Sequence, residues 1–143
     1  MTIDEELEKV VYDLLLADFA DYEDEVAIMP FVAETDDVEQ AIHYPAIHIA
    51  CAPLVRTNPA GSLGMVQLQL SARTQAEDDD QGRVLQAIYE KANALITEAN
   101  IGPEICSPWL LCGINDALDG EIAIDENTQN KGRIYQIAVA DTT

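Results

Sequence analysis

The chain has 143 residues, 48% of them hydrophobic and 24% charged, which fits one globular domain over residues 1–143. Its 27 acidic and 7 basic residues give a formal net charge of −20, and such a surface repels nucleic acid and anionic lipid, so we expect no direct nucleic-acid binding. No apolar run is long enough to cross a bilayer, and no membrane partner is expected.

The first segment has the pattern of an amphipathic helix. Thr2 and Glu5 have the spacing of a capping box, and apolar residues repeat on one face from Ile3 to Leu15, which predicts a helix at about 3–20. The first forty residues hold fourteen acids and a single base, Lys9. The N-terminus lacks the basic start and apolar run of a signal peptide, so we expect a cytoplasmic protein with reduced cysteines.

Strands are predicted in the next part of the chain. EVAIMPFVAE contains Pro30 and suits an edge strand, and the polar residues 34–44 are predicted to form a loop. Both alternating faces of PAIHIACAP are apolar, which is typical of a central strand. Residues 53–63, with two prolines and a glycine, are predicted to be a long loop. MVQLQLSAR then alternates apolar and polar residues, as in a strand covered on one side only.

A second helix is predicted at about 80–99, because apolar residues recur at helical spacing from Val84 to Ile96. Beyond it, PWLLCG and EIAI are predicted to be short strands separated by the turn NDALDG, and DENTQNKG is predicted to be a turn before the final strand RIYQIAVA. This order of elements predicts an α+β fold, with a mixed or antiparallel sheet of about four to six strands covered by two main helices.

The acidic block Glu77–Asp80 precedes the second helix and raises the question of a metal site. A calcium loop needs a glycine at its sixth position and a glutamate at its twelfth. Counted from Glu77, Gly82 is sixth but Ile88 is twelfth, and counted from Asp78, neither position fits. We therefore interpret the block as the N-terminal cap of the helix, with a weak divalent-cation site as the alternative.

Little in the sequence indicates catalysis. The chain has no P-loop, no G-x-S-x-G and no G-x-G-x-x-G, and its histidines are His43, in a predicted loop, and His48, in a predicted strand. His48 and Cys51 should point to opposite faces of their strand, and Cys106 and Cys112 lack structural zinc spacing, so buried, apolar cysteines are expected. We predict no enzyme activity, cofactor or metal, although a carboxylate pair remains possible because acids are so abundant.

Two residues are candidates for contact with a partner protein. Trp109, the single tryptophan, is either a core residue that reaches the surface or an interface anchor. Arg56 stands alone in the predicted loop at residues 53–63 and is either a solvated charge or a contact to a partner's carboxylate.

The layout of these segments resembles that of phage tail terminator and tail completion proteins, the minor tail protein U-like group. The resemblance runs over residues 3–140, through EVAIMPF, YPAIHIACAP, MVQLQLSARTQAEDDD, GRVLQAIYEKANALITEA and GRIYQIAVAD. It implies a small α+β subunit that forms a ring, usually hexameric, at the head-proximal end of the tail tube. Its implied partners are other copies of itself, the tail tube protein and head–tail connector proteins, first in the cytoplasm and then in the virion tail.

Other functions remain open from the residues. The fourteen acids near the N-terminus would also suit an acidic inhibitor or DNA mimic that binds a basic partner. The scarcity of lysine beside so many acids is equally typical of adaptation to a salty environment.

Overall fold

The computed structural model describes residues 2–22, 25–30, 44–119, 123–125 and 127–143. The helices are α1, α2 and α3; two short 3-10 turns precede α2, and one follows α3. The helices span Ile3–Asp18, Arg83–Asn93 and Glu98–Ile101, and the 3-10 turns span Ala76–Asp78, Asp80–Gly82 and Gly102–Glu104. Strands β1 to β7 span Ala27–Pro30, Ala46–Cys51, Val55–Arg56, Leu63–Gln75, Trp109–Asp119, Ala123–Asp125 and Thr128–Asp141.

The strands form one mixed sheet in the order β1-β2-β4-β7-β5, with β3 paired to β4 and β6 paired to β7. β1 is parallel to β2, and the other pairs are antiparallel. The helices lie on one face of this sheet, which we call the helix face; the other is the reverse face. The predicted α+β class, with a mixed sheet and helices over it, is confirmed.

The core lies between the helices and the helix face. α1 packs against β1 and β2, and α2 packs against β4 and β7. Successive side chains of a strand point to opposite faces of the sheet, so alternate residues of the long central strands β4 and β7 pack against the helices. The buried side chains are Ile3, Leu7, Val11 and Leu15 of α1, Leu85, Ile88, Tyr89 and Ala92 of α2, Val66, Leu68, Leu70 and Ala72 of β4, and Tyr135, Ile137 and Val139 of β7.

The first helix begins as its capping box predicts. Thr2 Oγ1 accepts from the Glu5 backbone N–H, and the Glu5 carboxylate accepts from the Thr2 N–H. The helix ends at Asp18, slightly before the predicted residue 20.

The predictions for β1 and β2 are also confirmed where the structure describes the chain. β1 pairs with β2 alone and ends the sheet order, and β2 lies between β1 and β4 with buried residues on both faces. The predicted loop at 34–44 falls outside the described residues, apart from Tyr44.

The predicted loop at 53–63 was wrong in part, because it contains the short strand β3. Val55 and Arg56 pair with Met65 and Gly64, so the chain folds back on the start of β4. The reversal is held by Asn58, whose Oδ1 accepts from the Leu63 N–H at 3.0 Å. A side-chain hydrogen bond of this kind stabilises a turn, and it leaves no hydrophobic pattern in the sequence from which the short strand could be predicted.

The predicted helix at 80–99 was wrong at both ends. Residues 80–82 form a 3-10 turn in which Gln81 and Gly82 have φ of 61° and 68°, so the α-helix begins at Arg83. It ends at Asn93, whose side chain donates to the Tyr89 carbonyl and accepts from the Tyr135 hydroxyl. A separate short helix then begins with Thr97 as its cap. Leu95 and Ile96 are apolar at helical spacing but belong to the break between the two helices.

The C-terminal strands are longer than predicted. β5 continues from Trp109 through most of the predicted turn NDALDG, and β7 starts at Thr128 within the predicted turn DENTQNKG. Pairing with the long neighbour β4 holds β7 extended, and β5 follows β7 with register shifts between Leu111 and Gly113 and between Asp116 and Leu118. Tertiary pairing overrides the local turn preference of these polar residues.

Candidate partner-binding surface

One end of the sheet brings the two predicted partner-contact residues together. The register aligns Arg56 with Gly64, Gly64 with Val139, and Val139 with Leu111, so Arg56 and the start of β5 lie on the helix face at the same end of the sheet, with β4 and β7 between them. The Arg56 guanidinium carbon lies 5.7 Å from the centroid of the Trp109 ring, a distance at which a cation is attracted to an aromatic face. Arg56 also donates from Nη1 to the Gly61 carbonyl.

Trp109 lies where the hydrophobic core reaches the surface of the protein. It is half-buried and packs against the hydrophobic core, while its ring carries the Arg56 guanidinium. Its backbone N–H donates to the Cys106 carbonyl at 3.1 Å. The indole is thus fixed in place at the border between core and surface.

A carboxylate lies beside Trp109 at the same end of the sheet. Asp141 pairs across strands with Trp109. Hydrogen bonds from the Thr143 hydroxyl and backbone N–H lower the pKa of Asp141, and the positive charge of Arg56 acts in the same direction. Sequence reasoning missed Asp141, because only the register of β5 on β7 reveals its position.

The reverse face of the same end of the sheet is apolar and exposed. Val55, Leu63 and Leu110 have 64%, 46% and 57% of their surface accessible. Leu63 pairs with Ala140, and Ala140 with Leu110, so these residues form a row across three strands. Val55, Met65 and Ala138 form the next row. We call this group the apolar end patch: Val55, Leu63, Met65, Leu110, Ala138 and Ala140.

Carboxylates are nearly absent from the strands behind this surface. β2, β3, β4 and β7 contain one acidic residue between them, Asp141, which lies on the helix face beside Trp109. The acids of β5, Asp116 and Asp119, align with Tyr135 and Arg133, away from the patch. The exposed positions of β4 and β7 next to the patch are the amides Gln67, Gln69 and Gln136. In a chain with 27 acids, this part of the reverse face is therefore close to neutral.

The acidic block contributes a helix cap through Asp79, as predicted. Asp79 is 3% exposed, and its carboxylate accepts from the N–H groups of Val84 and Leu85 at 2.8 and 2.9 Å and from the Thr74 hydroxyl at 2.9 Å. Glu77 and Asp78 are exposed. Within the described parts of the chain, no group of three or more His, Cys, Asp or Glu residues is arranged to hold a metal.

Several carboxylates of α1 are engaged within the chain. Asp13 pairs with Lys9 at 2.8 Å, and Asp18 pairs with Lys91 at 2.9 Å. Glu6 accepts from the Cys106 backbone N–H. The pKa of Glu8 is raised by partial burial, against a hydrogen bond from the Cys51 backbone that acts in the opposite direction. Asp18, Glu6 and Glu8 link α1 to other segments, whereas the Asp13–Lys9 pair lies within α1. These acids are therefore only partly available to imitate a phosphate chain.

All three thiols are free, and the expectation of buried cysteines holds in part for Cys51, which is half-buried, but not for Cys106 and Cys112. Burial raises the pKa of the Cys51 thiol to about 12, with smaller contributions from the charges of Glu8 and Asp4. Cys106 and Cys112 are exposed instead, because the segment before β5 and the register shift after Leu111 turn them outward. His48 and Cys51 lie on opposite faces of β2, as predicted, since they align with Ser71 and Leu68.

A groove of about 500 Å³ runs beside α1 and the segment after α3. Its lining includes the aliphatic residues Val10, Leu14 and Ala17 and four charged residues, of which Lys9 pairs with Asp13 and Glu6 accepts from the Cys106 N–H. The fourth is Glu104, and none of the described lining residues is a histidine.

No helix in the described part of the chain is both long enough and apolar enough to cross a membrane.

No family model and no curated protein matches this chain. Among solved structures, it is similar in fold to a chain from the virion of a native gene transfer agent (GTA) particle. The TM-score is 0.61, and the match covers 93% of each chain at 13% sequence identity. At this identity the likeness shows a shared fold.

Proposed function

We propose that this chain is a structural assembly protein of a phage-like tail, which caps the tail tube as a ring of copies and joins it to the head. The observation that carries the proposal is the fold likeness to a chain of a gene transfer agent virion, which extends over nearly the full length of both chains. The sequence layout independently resembles tail terminator proteins, and both lines lead to a virion component.

The surface chemistry supports an assembly role. Closed rings need an interface between two different surfaces of each copy. The chain offers an exposed apolar end patch, and an Arg56–Trp109 pair at the same end of the sheet. Arginine and tryptophan are enriched among the residues that dominate binding energy at protein interfaces.

The proposal places the chain among non-enzymes. Asp79, the buried carboxylate of the acidic block, is saturated by a hydroxyl and two backbone donors. We expect function to reside in shape and surface, with partners that are the tail tube protein, connector proteins and other copies of the chain. Its location would be the cytoplasm during assembly and then the virion tail.

Tube polymerisation tests the proposal directly. The purified chain is added to a polymerising tail tube protein from the same genome, and tube length is measured by electron microscopy. A cap shortens tubes in proportion to the amount of chain added. Tubes of unchanged length at every ratio would contradict the proposal.

A variant pair makes the same assay specific. Arg56→Ala combined with Trp109→Ala should weaken capping, whereas Glu77→Ala combined with Asp78→Ala changes two exposed residues elsewhere and should not.

If the chain instead captures a nucleic-acid enzyme through a contact that high salt abolishes, the DNA-mimic function is favoured.

A further inference from the structure

The exposed apolar residues of this protein are concentrated in one place. Among the described residues, the large hydrophobic side chains that are exposed are Leu16, Val55, Leu63 and Leu110, and the last three belong to the apolar end patch. Scattered apolar residues on a surface are ordinary, but a contiguous group marks an interaction site.

We infer that the apolar end patch is the surface through which one copy of the chain docks on a second copy. This inference rests on the proposed ring and identifies its contact surface. The patch is four strands wide, from β3 through β4 and β7 to β5, which is about 15 Å at the usual strand spacing. It is wide enough to be the dry centre of an interface whose rim is made by the neighbouring amides.

The low charge of the apolar end patch favours a second copy of the chain as its binding partner. A second copy carries the same formal charge of −20, so the contact between two copies is opposed least where it contains few carboxylates. The strands β3, β4 and β7 place no acidic side chain on the reverse face at the patch. A basic partner would gain more from the carboxylates that are exposed elsewhere, such as Glu5 on α1 and Glu77 and Asp78 before α2.

The neighbouring polar side chains fit the same occupant. Gln67, Gln69 and Gln136 follow the patch along β4 and β7, and amides both donate and accept hydrogen bonds. They can therefore bind an identical surface or an unlike one without needing a charge of either sign.

Oligomeric mass of patch variants tests the inference. We compare wild type with Leu63→Glu and Leu110→Glu by sedimentation velocity over a range of protein and salt concentrations. Leu16→Glu is the matched control, because Leu16 is exposed to 43%, lies on α1 and receives the same charge. Circular dichroism and thermal unfolding establish that each variant is folded. If a glutamate variant does not fold, Leu110→Ser is used in its place as an uncharged substitution.

We expect wild type and Leu16→Glu to associate alike, and both patch variants to associate at least about tenfold more weakly, as for residues at the centre of an interface. Wild-type protein that stays monomeric under all conditions would overturn the inference, as would equal weakening by Leu16→Glu. The outcome is separable from that of the proposed function. Copies that associate through the patch but leave tube length unchanged support the contact and contradict the capping role.

Discussion

Asp79 joins three parts of the fold through its buried carboxylate and its backbone carbonyl. It caps α2 at Val84 and Leu85, binds the Thr74 hydroxyl of β4, and its backbone carbonyl accepts from Gln129 of β7 at 2.9 Å. The acidic block was predictable as a helix start. Which of its members would be buried was not, because that depends on the 3-10 turns between β4 and α2.

Replacing Asp79 by alanine should lower the free energy of unfolding by about 3 kcal/mol, since it removes a cap and leaves a buried hydroxyl without its acceptor. Urea denaturation measures the loss. Asp78→Ala, at an exposed neighbour, should change stability by less than about 0.5 kcal/mol. Equal losses in the two variants would contradict the role assigned to Asp79.

Cys51 differs from the other two cysteines in reactivity. In native protein near neutral pH, a thiol reagent should label Cys106 and Cys112 rapidly and Cys51 only after unfolding, because the thiolate is the reactive form. Mass spectrometry of digested protein identifies the labelled sites. Rapid labelling of Cys51 in the native protein would show that its thiol is accessible in the folded state.

The same thiol predicts an alkaline loss of stability. Its pKa rises from 9.0 to about 12 on folding, so its contribution is fully present below pH 9.0 and is lost as the pH rises towards about 12. Wild type should therefore lose more stability than Cys51→Ala when the pH is raised above 9.0. Parallel pH curves for the two proteins would contradict this.

At the scale of elements, the sequence was informative where a hydrophobic period repeats. α1, β2 and β4 follow from their apolar spacing, and the cap of α1 follows from Thr2 and Glu5. The full length of β5 and β7 was missed, because their polar residues are held extended by pairing between strands that are distant in sequence.

The pairing of β3 with β4 depends on a glycine. A Cβ at Gly64 would lie 2.5 Å from Leu54 Cδ1 and 3.2 Å from the Val55 carbonyl oxygen. Gly64→Ala should therefore displace Leu54 and cost about 1–3 kcal/mol of stability, as overpacking usually does. Thermal and urea unfolding test this.

Gly132 of β7 provides the control. A Cβ there would meet its nearest atom, the Leu70 carbonyl oxygen, at 3.4 Å, which is an ordinary contact. Gly132→Ala should be tolerated. A Gly64→Ala protein as stable as Gly132→Ala would show that β3 is not held as described.

The candidate surface itself was only half predictable. Arg56 and Trp109 stand out in the sequence, but their contact depends on β3 and β5 reaching the same end of the sheet. Leu63 and Leu110 gave no signal, because an apolar residue in a strand suggests burial until the register shows which face it occupies.

Considered as a whole, the molecule is strongly charged, and its net charge of −20 opposes compaction. We predict that stability towards urea rises as NaCl increases from about 0.1 to about 1 M, a range in which the Debye length falls from ~10 to ~3 Å. Replacing the exposed Glu77 and Asp78 with their amides should reduce the size of this increase. A stability that is independent of salt in both proteins would show that self-repulsion is negligible.

The central claim is that this protein acts by assembling with copies of itself and with a tube protein. Sedimentation velocity of the chain, alone and mixed with its tail tube protein at high salt, tests it most directly. We expect one closed oligomer of fixed stoichiometry, which co-sediments with tubes. A chain that remains monomeric both alone and with the tube protein would contradict it.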